Sequence, residues 1–207
     1  VVSDNINLYA KWQYNYEYKR NNKEIIITKY VGNESKVNFP STINDYKVVE
    51  ISEYVIEHKE NVTSIVIPDS VKRISASAFS DCNNISNISV DERNSTYDSR
   101  NNCNGIIITE TNELLIGCKN TIIPNTVTIL DSSAFCGCEG LISIYIPANV
   151  SYIGENIFDG CINLTEIIVD PNNEVYDSRE NCNAIIRTSS NQLEIVCKNT
   201  TIPTTVK

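Results

Sequence analysis

Residues 129–150 read ILDSSAFCGCEGLISIYIPANV, and this stretch decides the fold. Near its end the side chains alternate, so we expect Tyr145 on one face of a strand and the isoleucines on either side of it on the other face. Pro147 cannot donate a hydrogen bond to a neighbouring strand, so the strand should end there. The small and aromatic pair Ala134-Phe135 favours a tight helical or 3₁₀ turn whose Phe fills the core. The stretch therefore predicts one strand, one proline turn and one compact return.

The same pattern recurs along the chain with a period of 79 residues. Ile67-Pro68-Asp69-Ser70-Val71 returns as Ile146-Pro147-Ala148-Asn149-Val150, and Tyr97-Asp98-Ser99-Arg100 returns as Tyr176-Asp177-Ser178-Arg179. One rung cannot bury its own apolar face, so we expect the rungs to stack, with parallel strands forming one sheet along a solenoid. Steps of 28, 23, 33, 23, 23 and 33 residues separate the apolar residues that end the rungs, which are Phe39, Ile67, Val90, Ile123, Ile146, Val169 and Ile202.

The two longest steps carry an insertion of about ten residues, seen first in residues 102–118. Its two β-rich runs flank the polar segment Thr109-Glu110-Thr111-Asn112, which predicts a β-hairpin on the side opposite the main sheet. Such a hairpin would widen the back of the solenoid.

The eight cysteines are of two kinds. Cys82, Cys138 and Cys161 share one repeat position, where a small buried side chain is expected to face the backbone of the turn. The pairs Cys103–Cys118 and Cys182–Cys197 would lie across the predicted hairpins. Either a disulfide joins each of these pairs, or a register slip of one residue leaves them as buried free thiols.

Charge and composition exclude several classes of function. The 207 residues carry a net charge of −9, with a pI near 4.7, which argues against nucleic acid or an anionic membrane as partner. No run approaches the roughly 18 apolar residues of a membrane span, so membrane insertion is not expected. His58 is the only histidine and has no matched nucleophile motif, so we predict no catalytic triad, no metal site and no cofactor.

The arrangement Ile-x₄-Ala-Phe-x₂-Cys-x₂-Leu-x₂-Ile-x-Ile-Pro-x₂-Val in residues 129–150 resembles the BspA-type leucine-rich repeat of bacterial cell-surface proteins. The resemblance implies a β-rich leucine-rich-repeat solenoid of the α/β class over residues 18–207. Leu8-Tyr9-Ala10-Lys11-Trp12 is similar to the closing strand of the Listeria/Bacteroides repeat. Residues 1–17 are therefore read as an N-terminal tail or cap, or as the end of a preceding β-rich surface repeat.

Membership of this group implies an extracellular or cell-surface location and a non-catalytic role in adhesion. The partner would be a protein or glycan of a host or neighbouring cell, bound through the sheet face, and the resemblance supplies no catalytic residue. A rigid spacer without its own ligand is the alternative, and an enzyme with an unrecognised carboxylate site ranks third. Self-association through uncapped repeat ends would add a second kind of partner.

The outward positions of the strands are the candidate contacts, since the long rigid face of a solenoid is its usual binding surface. Tyr145 is the best single candidate, because aromatic side chains dominate interface hot spots, although a half-buried strand tyrosine explains it equally well. The outward residues are Ser64, Val66, Asn87, Ser89, Ser143, Tyr145, Glu166 and Ile168.

Overall fold

The computed structural model of the protein describes residues 15–80 and 82–206. Over these residues the chain is a β-solenoid of about six turns with almost no helix, so the predicted leucine-rich-repeat solenoid is confirmed. Two single-turn 3₁₀ helices lie at Arg100–Asn102 and Arg179–Asn181. The strands are, in chain order, β1 Tyr16–Asn21, β2 Glu24–Tyr30, β3 Lys36–Asn38, β4 Thr42–Ile43, β5 Tyr46–Ile51, β6 Ser64–Ile67, β7 Arg73–Ile74, β8 Asn87–Val90, β9 Tyr97–Asp98, β10 Ile106–Ile108, β11 Glu113–Ile116, β12 Ile129–Leu130, β13 Ser143–Ile146, β14 Tyr152–Ile153, β15 Glu166–Val169, β16 Tyr176–Asp177, β17 Ala184–Arg187 and β18 Gln192–Val196.

The first strand row consists of β3, β6, β8, β13 and β15. Its members pair in parallel and in register within two groups, β3-β6-β8 and β13-β15. The isoleucines at alternate positions, such as Ile65 and Ile67 in β6 and Ile144 and Ile146 in β13, are buried, as the alternation in the sequence predicts. The side chains between them point away from the core.

The second strand row consists of β5, β7, β12 and β14, which also pair in parallel. It follows the first row after a short turn at the Pro-x-x-Val segments, where for instance the Val150 amide donates to the Pro147 carbonyl at 3.2 Å. Each rung thus changes direction twice as it passes around a core of stacked apolar side chains.

The return leg of the rung is a chain of single turns and not a continuous helix. The amides of Ala134 and Cys136 bond to carbonyls three residues earlier, as in a 3₁₀ helix. The Phe135 and Gly137 amides, which alternate with these two along the chain, donate instead to carbonyls of the next rung at 3.3 and 2.7 Å. Because alternate amides bond across rungs, the local helix does not propagate.

The two insertions form the predicted β-hairpins, β10-β11 and β17-β18. Each gains a third, antiparallel strand from β9 or β16. β11 pairs in parallel with β12. The first hairpin therefore extends the second strand row and belongs to a sheet separate from the first row.

The segment Tyr176-Asp177-Ser178-Arg179 anchors the second hairpin to its surroundings. The buried Tyr176 hydroxyl accepts the amide of Ile153, one rung away, at 3.2 Å. Asp177 pairs with Arg179 at 2.5 Å, and Arg179 donates to the Asn191 side chain at the hairpin tip at 2.9 Å. The first hairpin is anchored by the same contacts from the residues 79 positions earlier.

Two strands expected from the sequence are absent from the described chain. Ile123 and Ile202, which end the expanded rungs in the sequence ladder, lie outside any strand of the described chain. The segments there make single backbone bonds to the insertion, from Ile122 to Cys103 and from Thr201 to Cys182, each at 3.0 Å, and the proline that follows has no amide to continue the ladder. The insertion thus takes the place that a neighbouring strand has in the plain rungs.

The N-terminal end is packed with aromatic rings. Tyr16 in β1 lies 5.4 Å from Tyr30 and 5.5 Å from Phe39, measured between ring centres. The boundary predicted between residues 17 and 18 therefore falls inside β1. The segment Leu8–Trp12, compared above with a Listeria/Bacteroides repeat, lies outside the described residues.

Candidate binding surface

The eight predicted contact residues lie on β6, β8, β13 and β15 of the first strand row. All of them are at least partly exposed. The register brings them together as four neighbouring pairs: Ser64 beside Asn87, Val66 beside Ser89, Ser143 beside Glu166, and Tyr145 beside Ile168. The first two pairs and the last two belong to different sheets, because the expanded rung at residues 119–123 separates β8 from β13.

Of the N-terminal pairs, Ser64 and Asn87 are polar and already bonded within the chain. The Ser64 hydroxyl donates to Asn87 at 3.3 Å, and the Asn87 amide donates to Asn104 at 3.1 Å. Val66 and Ser89 are half-buried and line a shallow depression. This part of the surface offers few unsatisfied groups to a ligand.

Of the C-terminal pairs, Ser143 and Glu166 are polar, whereas Tyr145 and Ile168 form an exposed apolar pair. Tyr145 keeps 46% of its surface accessible and Ile168 keeps 42%. The Tyr145 hydroxyl donates to Oδ2 of Asp170 at 2.6 Å, which orients the ring. This bond raises the pKa of Tyr145 and lowers the pKa of Asp170. The tyrosine is therefore an exposed ring with a fixed hydroxyl, and a ligand would not have to order it on binding.

Three outward residues of the same kind are missing from the predicted contacts. Asn38, Ile122 and Thr201 stand one position before the ladder residues Phe39, Ile123 and Ile202, just as Tyr145 stands one position before Ile146. All three are exposed, and Ile122 keeps 73% of its surface accessible. The ladder offset alone would have identified them.

Negative charge surrounds the C-terminal pairs. Residues 120–206 contain ten acidic and three basic residues, a net charge of −7 out of the −9 of the whole chain. Two of these three basic residues form ion pairs inside the chain, Arg179 with Asp177 and Arg187 with Glu194. The Tyr145–Ile168 pair therefore belongs to the acidic part of the chain, and Glu166 and Asp170 are its nearest carboxylates along the sequence.

In the structure the cysteines of the two hairpins are free thiols. Near the hairpin tip Ile108 lies opposite Glu113, a register that would bring Cys103 opposite Cys118 if it continued. A β-bulge before Ile106 shifts the register by one residue, so it does not continue. Cys103 and Cys118 are buried thiols whose sulfurs contact the backbone carbonyls of Gly105 and Asn104. Burial raises the pKa of Cys103 to about 11. The same bulge recurs in the second hairpin, with Cys182 and Cys197.

At the shared cysteine position Cys82 and Cys161 are buried and face the backbone, whereas Cys138 is only partly buried. Cys82 and Cys161 are each 8% exposed, and their sulfurs contact the carbonyls of Ile56 and Phe135, at 3.0 and 3.1 Å. These side chains fill the space between successive turns.

The other features considered from the sequence are the single histidine, a metal site and a membrane span. His58 is exposed and lies 3.7 Å from Glu57. Within residues 15–80 and 82–206 no three or more His, Cys, Asp or Glu side chains are grouped as a metal site. Over the same residues no helix has the length and apolarity needed to cross a bilayer.

A sequence profile of the BspA type leucine rich repeat region matches the chain in six copies, over residues 17–114, 49–183 and 111–205. No curated protein sequence matches the chain. Repeats of this kind are protein-interaction or structural modules.

Several solved structures share the fold. The pneumococcal vaccine antigen PcpA superposes with a TM-score of 0.57 at 17% identity, covering 94% of this chain and 59% of PcpA. A leucine rich cell surface protein from Faecalibacterium prausnitzii is 23% identical, with a TM-score of 0.44, 93% of this chain covered and 62% of that one. A leucine rich repeat protein of T. pallidum is 21% identical, with a TM-score of 0.48 and coverages of 74% and 68%.

This chain thus spans about three fifths of PcpA and of the Faecalibacterium protein. At these identities the likeness concerns the fold alone. The profile match, by contrast, extends over nearly all of residues 17–205. The protein belongs to the BspA-type leucine-rich repeat family.

Proposed function

We propose that this chain is a non-catalytic binding module of an extracellular or surface-attached protein. Its ligand, a protein or glycan of a host or neighbouring cell, contacts the first strand row around Tyr145 and Ile168. The single observation that carries the proposal is the exposed Tyr145–Ile168 pair, held on adjacent in-register strands with the tyrosine hydroxyl fixed by Asp170. Rigid aromatic contacts of this kind supply much of the affinity in protein interfaces.

The surface location rests on analogy. The Faecalibacterium protein with the same fold is described as a cell surface protein, and we propose the same location here. The proposed lack of catalysis rests on the family, whose solved members are non-enzymatic repeat proteins.

A direct test compares binding of three forms of the protein to immobilised extracellular-matrix proteins and to a glycan array. Tyr145→Ser/Ile168→Ser removes the apolar pair, and Tyr152→Ser removes a tyrosine of similar exposure, 53%, from the second strand row. We expect the double variant to lose at least about tenfold in affinity for the ligand that binds the wild type, and Tyr152→Ser to retain it. Equal binding by all three folded forms would place the site elsewhere.

A rigid spacer is the second candidate, and the bonds between rungs favour it. The side-chain amides of Asn61, Asn84 and Asn163 each donate to a carbonyl of the preceding rung, at 2.7, 2.6 and 3.0 Å. Such links stiffen a stack along its length. If no matrix protein or glycan binds the wild type, the spacer is the better description.

A further inference from the structure

The 79-residue period provides two versions of the same surface in one chain. Val66, Asn87 and Ser89 in the first version correspond to Tyr145, Glu166 and Ile168 in the second. The backbone is equivalent in the two places, with the same parallel register. The strand pairs that carry these residues therefore differ mainly in their side chains, although β6 also has β3 as a neighbour and β13 has no strand in that place.

The first version neutralises its own acidic residue. Asp91 directly follows β8 and receives two hydrogen bonds from the Arg93 guanidinium, at 3.0 and 2.9 Å. This ion pair needs no cation from outside the chain. The neighbouring Val66 and Ser89 are half-buried.

The second version lacks that cation. Asp170 corresponds to Asp91, but the position of Arg93 is taken by Asn172, whose side chain donates to Asp170 at 3.0 Å without adding charge. A second carboxylate, Glu166, replaces Asn87. In the described chain no basic side chain lies within 4.0 Å of either carboxylate.

Acidic and apolar side chains alternate regularly along β15 and the residue that follows it. Glu166, Ile168 and Asp170 are alternate residues, and side chains at alternate positions of an extended chain lie on one face about 7 Å apart. The bond from Tyr145 to Asp170 shows that the Asp170 carboxylate lies on the same face as the ring. The surface therefore presents an acidic, an apolar and an acidic group in sequence, with the tyrosine ring beside the apolar one.

We infer that this surface binds an extended peptide segment of a partner protein that carries Lys or Arg, an apolar residue, and Lys or Arg at alternate positions. This inference rests on the proposed binding function and names the chemistry of the ligand. The apolar side chain packs on Tyr145 and Ile168, while the two cations meet Glu166 and Asp170. The acidic C-terminal half favours the approach of such a segment, and the cations give the specificity that an apolar pair alone lacks.

The test is selection of ligands from a phage-displayed library of random peptides on the immobilised wild-type chain. We expect the enriched peptides to carry two basic residues flanking an apolar residue at alternate positions. Their binding should fall as salt is raised from about 0.05 to about 0.5 M.

The matched variants are Asn172→Arg and Asn172→Gln. Asn172→Arg recreates the Asp91–Arg93 pair and keeps the apolar residues, and its fold should persist because arginine already occupies this position in the first version. We expect it to weaken the enriched peptides about tenfold at low salt, and Asn172→Gln, which adds no charge, to change their affinity less than about twofold.

The outcomes separate the two proposals. Enriched peptides that are neutral or acidic, yet lose binding with Tyr145→Ser/Ile168→Ser, would overturn the cationic ligand and leave the binding surface standing. If neither that double variant nor Asn172→Arg changes the affinity for the enriched peptides, the proposed binding surface is wrong.

Discussion

Asn94 and Asn173, 79 residues apart, make the same four hydrogen bonds. The Asn94 amide group donates to the carbonyls of Pro68 and Val71 in the turn one rung earlier, at 2.8 and 2.9 Å. Its oxygen accepts two backbone amides that follow it, both at 2.9 Å. Asn173 repeats all four at 2.8 to 2.9 Å, and both side chains are only 8% exposed. One buried amide thus ties each proline turn to the start of the strand that leads into the 3₁₀ helix and hairpin.

Replacing that amide should cost stability. Asn173→Ala leaves the Val150 carbonyl and the amides of Val175 and Tyr176 without their partner, while the Pro147 carbonyl keeps its bond from Val150. Each buried unsatisfied group costs about 1–3 kcal/mol, so we expect a loss of at least about 2 kcal/mol in the free energy of unfolding. Chemical denaturation followed by circular dichroism measures it. Asn125→Ala, at an exposed asparagine, is the control and should lose less than about 0.5 kcal/mol. Equal losses in the two variants would contradict the role given to the buried amide.

The Asp177–Arg179 pair should make stability depend on pH. The hydrogen bond from Arg179 lowers the pKa of Asp177 in the folded chain. A carboxyl whose pKa is lower in the folded state than in the unfolded state stabilises the fold above its unfolded pKa, near 4, and loses that contribution as the pH falls through the folded value. Asp177→Asn should therefore be less stable than wild type at pH 7, by about 1 kcal/mol for a pair a quarter exposed to solvent, and match it at low pH.

Denaturation midpoints across the acid range measure this difference. Glu174→Gln removes the same charge from an exposed carboxylate that forms none of the ion pairs of the described chain, and it controls for net charge. A gap between Asp177→Asn and wild type that stays constant down to low pH would argue against the carboxylate as its origin.

At Gly154 the backbones of adjacent rungs lie close together. A Cβ placed there would lie 2.4 Å from the Ser132 amide nitrogen and 2.5 Å from its Cα. Backbone cannot move aside without shifting the whole rung, so Gly154→Ala should destabilise the protein by about 2 kcal/mol or more. Gly140→Ala is the comparison, since its tightest contact is the flexible Lys119 side chain at 2.9 Å. Thermal unfolding of both should show the larger fall in Tm for Gly154→Ala, and the reverse order would refute the close approach.

The thiols of the hairpins should be protected rather than oxidised. Cys103 is fully buried with a pKa raised to about 11, so its reactive thiolate is scarce near neutral pH. Brief alkylation of the native protein should therefore modify the exposed Cys136 well before Cys103. After unfolding without a reductant, intact mass should show all eight cysteines modified. A smaller number would mean that a disulfide closes one of the hairpins.

Much of the fold could be predicted from the sequence because the signals are local and repeated. The alternation around Tyr145 and the proline at 147 predict β13 and its end correctly, and the polar segment 109–112 predicts the first hairpin. The missing strand at Ile123 could not be predicted, because it depends on which backbone groups the insertion occupies. The bulge that separates Cys103 from Cys118 is equally hidden, since it is a feature of hydrogen-bond register.

The candidate surface was only partly accessible to sequence reasoning. Position in the ladder identifies Tyr145 and Ile168, and it would also have identified Ile122. The contrast between Arg93 and Asn172 is visible in the 79-residue alignment, but its meaning depends on the contacts of Asp91 and Asp170, which only the structure provides.

Two Asn-x-Ser/Thr triplets make bonds between rungs. In Asn84-Ile85-Ser86 and in Asn163-Leu164-Thr165, both the amide and the hydroxyl donate to carbonyls of the preceding rung. The middle residue of each triplet, Ile85 or Leu164, is buried in the core. At these two positions the triplet therefore joins one rung to the next.

The 79-residue period has a consequence for how the gene can change. Each period has its own strands, hairpin and buried asparagine, so recombination that added or removed one whole unit would alter the length by about 14 Å, three strand spacings, and leave the packing inside the other units intact. After such a duplication, a few codons on the outer face are free to diverge while the buried ones stay alike. The surface with the Asp91–Arg93 ion pair and the one with Asp170 and Asn172 have the relationship expected of two copies that took this course.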